Sequence, residues 1–120
     1  MKINDLIEEL KKNPEISNAG MILTHTGIVR NSSRDGKKIK TLDIEPDFSL
    51  IENIVNSNKK LPGIIDIKFY MHEKATLNIG DEIMHIAIAG DIRENTIYAM
   101  SKTLNEIKEK AVKKKQNLNE

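Results

Sequence analysis

The chain has 120 residues, of which 38% are hydrophobic and 3% aromatic, so it suits one domain with a modest aliphatic core. Charged residues make up 31%, but the net charge is only +1, which makes general attraction to nucleic acid weak. The lack of cysteine excludes disulfide bonds, thiolate catalysis and cysteine-based metal sites. Apolar segments are too short to span a bilayer and no signal-peptide core is evident, so a cytoplasmic protein without a membrane partner is expected.

The first third of the chain predicts a helix and a hairpin. Apolar side chains at helical spacing predict a helix over residues 3–12. Residues 20–30 are apolar at both odd and even positions, as expected of a strand in the centre of a sheet. The turn at Asp35-Gly36 favours a hairpin, whose second strand would cover residues 39–45.

The middle of the chain predicts a helix and two strands. The spacing of Ser49 and Glu52 is that of a capping box and predicts the start of the second helix. Apolar and polar residues alternate over residues 65–71, which predicts a half-buried strand. Another strand is expected over residues 83–89.

A long amphipathic helix is predicted at the end of the chain. It begins near Asp91 in a second capping-box pattern, and its apolar stripe continues to Ala111. Lys108 and Lys115 are seven residues apart, which is close to two helical turns, so both would point the same way, roughly 10 Å apart along the axis. Residues 116–120 are expected to fray. The predicted order is α-β-β-α-β-β-α within one domain, residues 1–120.

Over about residues 3–116 this order and its landmarks resemble the catalytic (large) subunit of molybdopterin synthase. Arg30 falls in the family's Gly-x-Val-Arg element, and Arg93 matches the arginine of its His-Arg pair. Lys108 matches the lysine of a Leu-Lys pair, and Lys115 matches the lysine that follows a Pro-x-Trp element. His72 matches a histidine of the strand predicted over residues 65–71.

The resemblance implies an α+β domain of the α/β hammerhead type with antiparallel strands, forming a homodimer within a heterotetramer. It implies two partners, a ubiquitin-like sulfur carrier that ends in Gly-Gly and the substrate cyclic pyranopterin monophosphate. Sulfur would move from the thiocarboxylated carrier to this pterin during molybdenum cofactor biosynthesis. No resident cofactor and no metal are implied.

The resemblance makes Lys108 and Lys115 candidate catalytic residues and makes Arg30, Arg93 and His72 candidate substrate-binding residues. Guanidinium groups bind phosphate in a bidentate manner, which suits the two arginines. Lys108 lies at the edge of the apolar stripe, and partial burial there would lower its pKa and make it a usable acid or base.

Less specific interpretations remain open for the same residues. Lysines near the carboxy terminus of a helix commonly do no more than complement its dipole. The three histidines, His25, His72 and His85, lie on different predicted strands without metal-site spacing, which favours structural roles.

Two other functions compete with catalysis. Ile92 stands where the family has the histidine of its His-Arg pair, which favours a non-catalytic relative that binds a carrier or a second copy of itself. A nucleic-acid binder would use Lys110, Lys113, Lys114 and Lys115, but aromatic residues for base stacking are scarce.

Overall fold

Residues 1–119 are described by a computed structural model. Within them the helices are α1 (Ile3–Lys11), α2 (Phe48–Asn58) and α3 (Arg93–Glu106), and the strands are β1 (Met21–Ile28), β2 (Ile39–Pro46), β3 (Ile64–Met71), β4 (Ala75–Asn78), β5 (Glu82–Gly90) and β6 (Val112–Leu118). The predicted α+β class with antiparallel strands is confirmed. Strands β4 and β6 were not predicted.

The strands form two antiparallel sheets of three strands, in the orders β1-β5-β3 and β4-β2-β6. The central strand of the first sheet is β5, in which every residue after Glu82 is buried. The prediction that residues 20–30 form a central strand is therefore wrong. Strand β1 lies at the edge of the sheet, where Thr24 and Thr26 face solvent.

Helices cover both faces of the first sheet, and this explains why β5 is apolar on both sides. Leu6 and Leu10 of α1 pack against Ala87 and Ala89, whose small side chains leave room for the helix. On the other face, the core around Ile86 continues through α2 and α3 to the second sheet. Burying each large aliphatic side chain contributes about 1.5–3 kcal/mol.

The hairpin predicted at Asp35-Gly36 forms only locally: Ser32 and Lys38 make an antiparallel bridge across the turn, but β1 and β2 do not pair with each other. Gly36 has a φ of 85°, which glycine adopts without strain, and its N–H donates to the Ser33 carbonyl. Strands β1 and β2 then join different sheets, because each pairs with strands that come later in the chain. The loop between them thus connects the two sheets.

The two predicted capping boxes are also wrong, because other residues occupy the N-cap positions of these helices. Asp47 rather than Ser49 caps α2, accepting a hydrogen bond of 3.1 Å from the Leu50 N–H. Ile92 is the N-cap of α3 and has no side-chain cap. Asp91 lies one residue earlier and accepts from the Ile92 N–H at 2.6 Å.

The end of the chain differs most from its prediction. Helix α3 ends at Glu106, one π-helical segment (Ile107–Ala111) follows, and β6 pairs antiparallel with β2. The prediction that Lys108 and Lys115 share one helix face is therefore wrong, and so is the predicted fraying of residues 116–118. Residue 120 of that predicted tail lies outside the described residues.

None of the helices within residues 1–119 is long and apolar enough to cross a membrane. The cytoplasmic location stays a prediction.

Candidate functional site

A cavity of about 410 Å³ lies where the two sheets meet, and it gathers residues that are distant in the sequence. Strand β1 and the loop after it form one wall, β2 and β5 contribute apolar side chains, and the π-helical segment and β6 close the remaining side. The basic side chains that line it are His25, Arg30, Arg34, Lys108 and Lys114.

An irregularity in β1 shapes the wall of this cavity. The register with β5 shifts between Gly27 and Ile28, as in a β-bulge, which bends a strand and redirects its side chains. The Val29 N–H then donates to the Asp81 carbonyl at 3.0 Å. Arg30 follows directly, so its guanidinium emerges from an anchored backbone at the mouth of the cavity.

The loop that carries Arg34 is held by its own hydrogen bonds. The Ser33 N–H donates to the Lys37 carbonyl at 2.8 Å, and the Ser33 hydroxyl donates to the Asp35 carboxylate. That hydrogen bond contributes most to a lowered pKa of Asp35. Arg34 is therefore presented from an ordered turn, and Asp35 is engaged within the loop instead of lining the cavity.

The cavity is suited to an anion because its charges have one sign. Arg30, Arg34, Lys108 and Lys114 line it, and no carboxylate does so among the residues that the structure describes. Partial desolvation, followed by repulsion from Lys108 and Arg34, lowers the pKa of Lys114, although much of that side chain remains in contact with water. Lys108 is exposed, so its predicted partial burial is wrong.

The second lysine of the cavity is Lys114 and not Lys115. In the pairing of β6 with β2, Lys114 lies opposite the buried Ile44, whereas Lys115 lies opposite Asp43. Cross-strand partners point to the same face of a sheet. Lys114 therefore projects on the core side, and Lys115 projects from the opposite face.

Lys115 lines a second hollow over β2, β4 and β6, of about 540 Å³. This hollow is larger than the cavity, but it mixes lysines with the carboxylates of Asp43 and Glu45. Lys74 lies 3.6 Å from the Glu45 carboxylate. The positive charges of this hollow are therefore partly neutralised by carboxylates, whereas those of the cavity are not. We take the cavity as the candidate site.

Two other predicted site residues lie outside the cavity. Arg93 begins α3 beside Met21, at the other end of β1, roughly 20 Å away along the strand. The His72 ring donates a hydrogen bond from Nδ1 to the Glu73 carbonyl at 2.8 Å. The structure thus brings together Arg30 and Lys108, but not Lys115, Arg93 or His72.

The other two histidines occupy opposite faces of the first sheet. His85 is 2% exposed and has partners on both ring nitrogens, the Thr26 hydroxyl at 2.8 Å and the Glu82 carboxylate at 3.3 Å. This arrangement agrees with its predicted structural role. His25 lines the cavity, and the structural role predicted for it stays a prediction.

Sequence reasoning missed three cavity residues, His25, Arg34 and Lys114. His25 and Arg34 flank Arg30 in the sequence, and this proximity was an available signal. Nothing in the local sequence distinguishes Lys114 from the lysines on either side of it. Only the register between β6 and β2 shows that Lys114 faces the cavity.

Comparison with known proteins is consistent with this geometry. The family model described as MoaE protein matches residues 1–110. An uncharacterised protein of Methanocaldococcus jannaschii is 30% identical over 111 residues, which are 89% of this chain and 88% of that protein.

Solved structures with the same fold include molybdopterin synthase and other proteins of molybdopterin biosynthesis. Molybdopterin synthase from Staphylococcus aureus is 25% identical with a TM-score of 0.70, over 86% of this chain and 77% of that one. Molybdopterin cofactor biosynthesis protein E from Burkholderia multivorans is 20% identical with a TM-score of 0.75, over 99% and 82%. The complex of subunits 1 and 2 of molybdopterin-converting factor from Helicobacter pylori gives 18% and 0.68, over 100% and 85%.

Proposed function

Because this chain belongs to the MoaE protein family, we propose that it is the sulfurtransferase subunit of a molybdopterin synthase. Membership of the family already gives it a role in molybdenum cofactor biosynthesis. In the proposed reaction, sulfur moves from the thiocarboxylated Gly-Gly tail of a ubiquitin-like carrier to cyclic pyranopterin monophosphate. The two-subunit complex from Helicobacter pylori supports a partner subunit.

The observation that carries this proposal is the cationic cavity without carboxylates. Both proposed reactants are anions, since one carries a phosphate and the other a thiocarboxylate. In a partly desolvated site, positive charges bind such groups more strongly than they would in water. A cavity of about 410 Å³ also lies within the size range of small-molecule sites.

The cavity residues divide by chemistry into two groups. Arg30 and Arg34 present planar guanidinium groups that match a phosphate. Lys108 lies in the π-helical segment and Lys114 in β6, and their positive charges repel each other. The lowered pKa of Lys114 brings its amine closer to the range in which it can exchange a proton as oxygen leaves.

A reconstituted reaction tests the proposal. Purified protein, thiocarboxylated carrier and cyclic pyranopterin monophosphate are mixed, and the dithiolene product is measured after oxidation to its fluorescent form. Lys108→Ala is expected to lose at least about 100-fold in turnover. The matched control is Lys110→Ala, in the same segment but paired with Glu106 at 3.9 Å and outside the cavity lining.

Two results would contradict the proposed site. One is unchanged turnover in Lys108→Ala, and the other is an equal loss in Lys110→Ala, which would indicate damage to the segment instead of the site. Binding of the carrier, measured in the same samples, separates loss of chemistry from loss of docking.

The remaining predicted residues stay predictions that the same assay can test. Alanine substitutions of Lys115, Arg93 and His72 are each compared with Lys114→Ala. We expect Lys114→Ala to cost more than Lys115→Ala, because only Lys114 lines the cavity.

A homodimer also stays a proposal. Ile97 and Tyr98 of α3 are 53% and 58% exposed, and neighbouring exposed apolar side chains commonly mark an interaction surface. Light scattering of the purified chain would show twice the mass of 13.6 kDa if the chain pairs with itself.

Ile92 favours a second candidate function, a non-catalytic module that binds the carrier. Its side chain is 53% exposed, and it can neither bind an anion nor transfer a proton. Carrier binding without product in the wild-type protein would support this function. A gain in turnover on Ile92→His would instead reveal a working site that has been weakened.

A further inference from the structure

His25 has an unusual position for a polar side chain. It lines the cavity from β1, yet its Nε2 atom is buried and has no hydrogen-bond partner within the described residues. A Cβ atom at Gly27 would lie 3.5 Å from this Nε2, so the ring lies close against the bulged part of the strand. Buried polar groups normally have partners, and an unpaired one next to a cavity indicates where a ligand could supply one.

Within the described residues, the charged side chains that line the cavity around His25 are all positive. Lys108 faces it from the π-helical segment, and the buried His85 lies behind it on β5. Lys114 of β6 and the guanidinium groups of Arg30 and Arg34 line the same cavity. Desolvation, then Lys108 and His85, lower the pKa of His25, so the ring is neutral at physiological pH in the empty cavity.

An anion in the cavity reverses this balance. Its negative charge offsets the repulsion from Lys108 and favours the imidazolium over the neutral ring. By linkage, a ligand that favours the protonated form takes up a proton as it binds, and acidification in turn tightens its binding. His85 is less suited to this role, because both of its ring nitrogens already have partners.

We propose that His25 is an anion-binding residue of the cavity that takes up a proton when an anionic ligand enters. This role rests on the anion-binding function proposed above and adds a binding residue to it. The ligand class is a small oxyanion or carboxylate-type group, and His25 supplies a positive charge only when such a group is bound.

The test uses the full chain with sulfate, which stays doubly charged over the pH range in which histidine titrates, about 5 to 8. The Kd of sulfate is measured by calorimetry at several pH values, and the imidazole signals are followed by NMR with and without sulfate. Uptake of one proton is expected to tighten binding by up to about tenfold per pH unit of acidification. Sulfate should shift the titration of His25 upwards.

Two variants and an internal reference complete the design. His25→Phe removes the titratable group and keeps a ring, and His25→Gln keeps a neutral polar end, so both are expected to bind sulfate with little dependence on pH. The signal of His72, which lies outside the cavity lining, is expected not to respond to sulfate. Circular dichroism confirms that each variant is folded.

The outcomes separate this inference from the proposed function. Sulfate binding whose pH dependence is the same in wild type and His25→Phe would refute the role of His25 and leave the anion site intact. Failure of sulfate to bind at any pH would refute the anion site and the role of His25 together. Competition between sulfate and cyclic pyranopterin monophosphate would tie the binding to the proposed substrate site.

Discussion

Replacing Lys114 by methionine should weaken anion binding and stabilise the empty protein at the same time. The substitution keeps the length and the apolar stem of the side chain but removes the charge. Lys114 now pays for partial desolvation and for repulsion from Lys108 and Arg34. Removing that charge relieves both penalties, and it also removes one of the four cations that line the cavity.

The magnitudes follow from the exposure of the side chain. A unit charge 4 Å from an anion is worth about 4 kcal/mol at an effective dielectric of 20, and water contact reduces this to about 1–2 kcal/mol, or roughly tenfold in Kd. The relief of repulsion should raise the free energy of unfolding by about 0.5–1 kcal/mol. For a chain of this size, that raises Tm by about 2–5 °C.

Thermal unfolding with and without sulfate measures both effects. Lys115→Met is the matched control, since Lys115 lies opposite Asp43, whose pKa is lowered mainly by the hydrogen bond from Thr76 and to a smaller extent by Lys115. This variant should show no gain in Tm and little change in sulfate affinity. A lower Tm for Lys114→Met, or equal sulfate affinities in the two variants, would refute the assignment of Lys114 to the cavity.

The pH dependence of the stability gives an independent check on the direction of the effect of Lys114. Because the pKa of Lys114 is lowered in the folded protein, the unfolded chain binds more protons between the folded value and the ordinary lysine value. Wild-type stability should therefore rise with pH in that interval. The stability advantage of Lys114→Met should be full at neutral pH and shrink as the solution becomes alkaline.

Three further predictions concern the loop, the buried carboxylate and a turn. Arg34→Gln should weaken sulfate binding several-fold in calorimetry without lowering Tm, since it removes an exposed cation. Burial alone would raise the pKa of Asp66, but the hydrogen bond from Asn13 and two nearby lysines lower it overall. Asp66→Ala should therefore cost about 2–4 kcal/mol in urea unfolding. The stability that comes from the lowered pKa should be present above the ordinary aspartate value of about 4, and it should be lost progressively as the pH falls from there through the lower folded value. Gly63→Ala should cost about 1–3 kcal/mol, because φ is +76° and the added methyl would overlap the Asp91 carboxylate; unchanged stability would contradict this.

Local patterns predicted most helices and strands, but not how the strands assemble. The periodicity of residues 3–12 and 65–71 reflects which face of each element is buried, and both elements formed close to the expected bounds. Sheet membership depends on partners far along the chain. The turn at Asp35-Gly36 formed as its residues require, yet the strands on either side of it entered different sheets.

The candidate site was predicted in part for the same reason. The resemblance to a known family placed Arg30 and Lys108 in one site, and both line the cavity, while their roles there stay predictions. Lys115 was assigned to a helix because the preceding apolar stripe is helical. Once β6 pairs with β2, the period changes from 3.6 to 2, and a shift of one residue decides which lysine faces the cavity.

The cavity also shows why net charge was a poor guide to the ligand. The chain carries 19 basic and 18 acidic residues, yet several carboxylates are engaged away from the cavity, as Asp66 is by Lys59 and Glu106 is by Lys102. Folding therefore leaves basic side chains together at one place without changing the sum. A weak global field argues against a polynucleotide, which binds through many phosphates at once, but it does not weaken the attraction of one cavity for one anion. The cavity volume of about 410 Å³ favours a small phosphorylated molecule or the end of a peptide tail, and these are the two kinds of anion that the proposed reaction brings together.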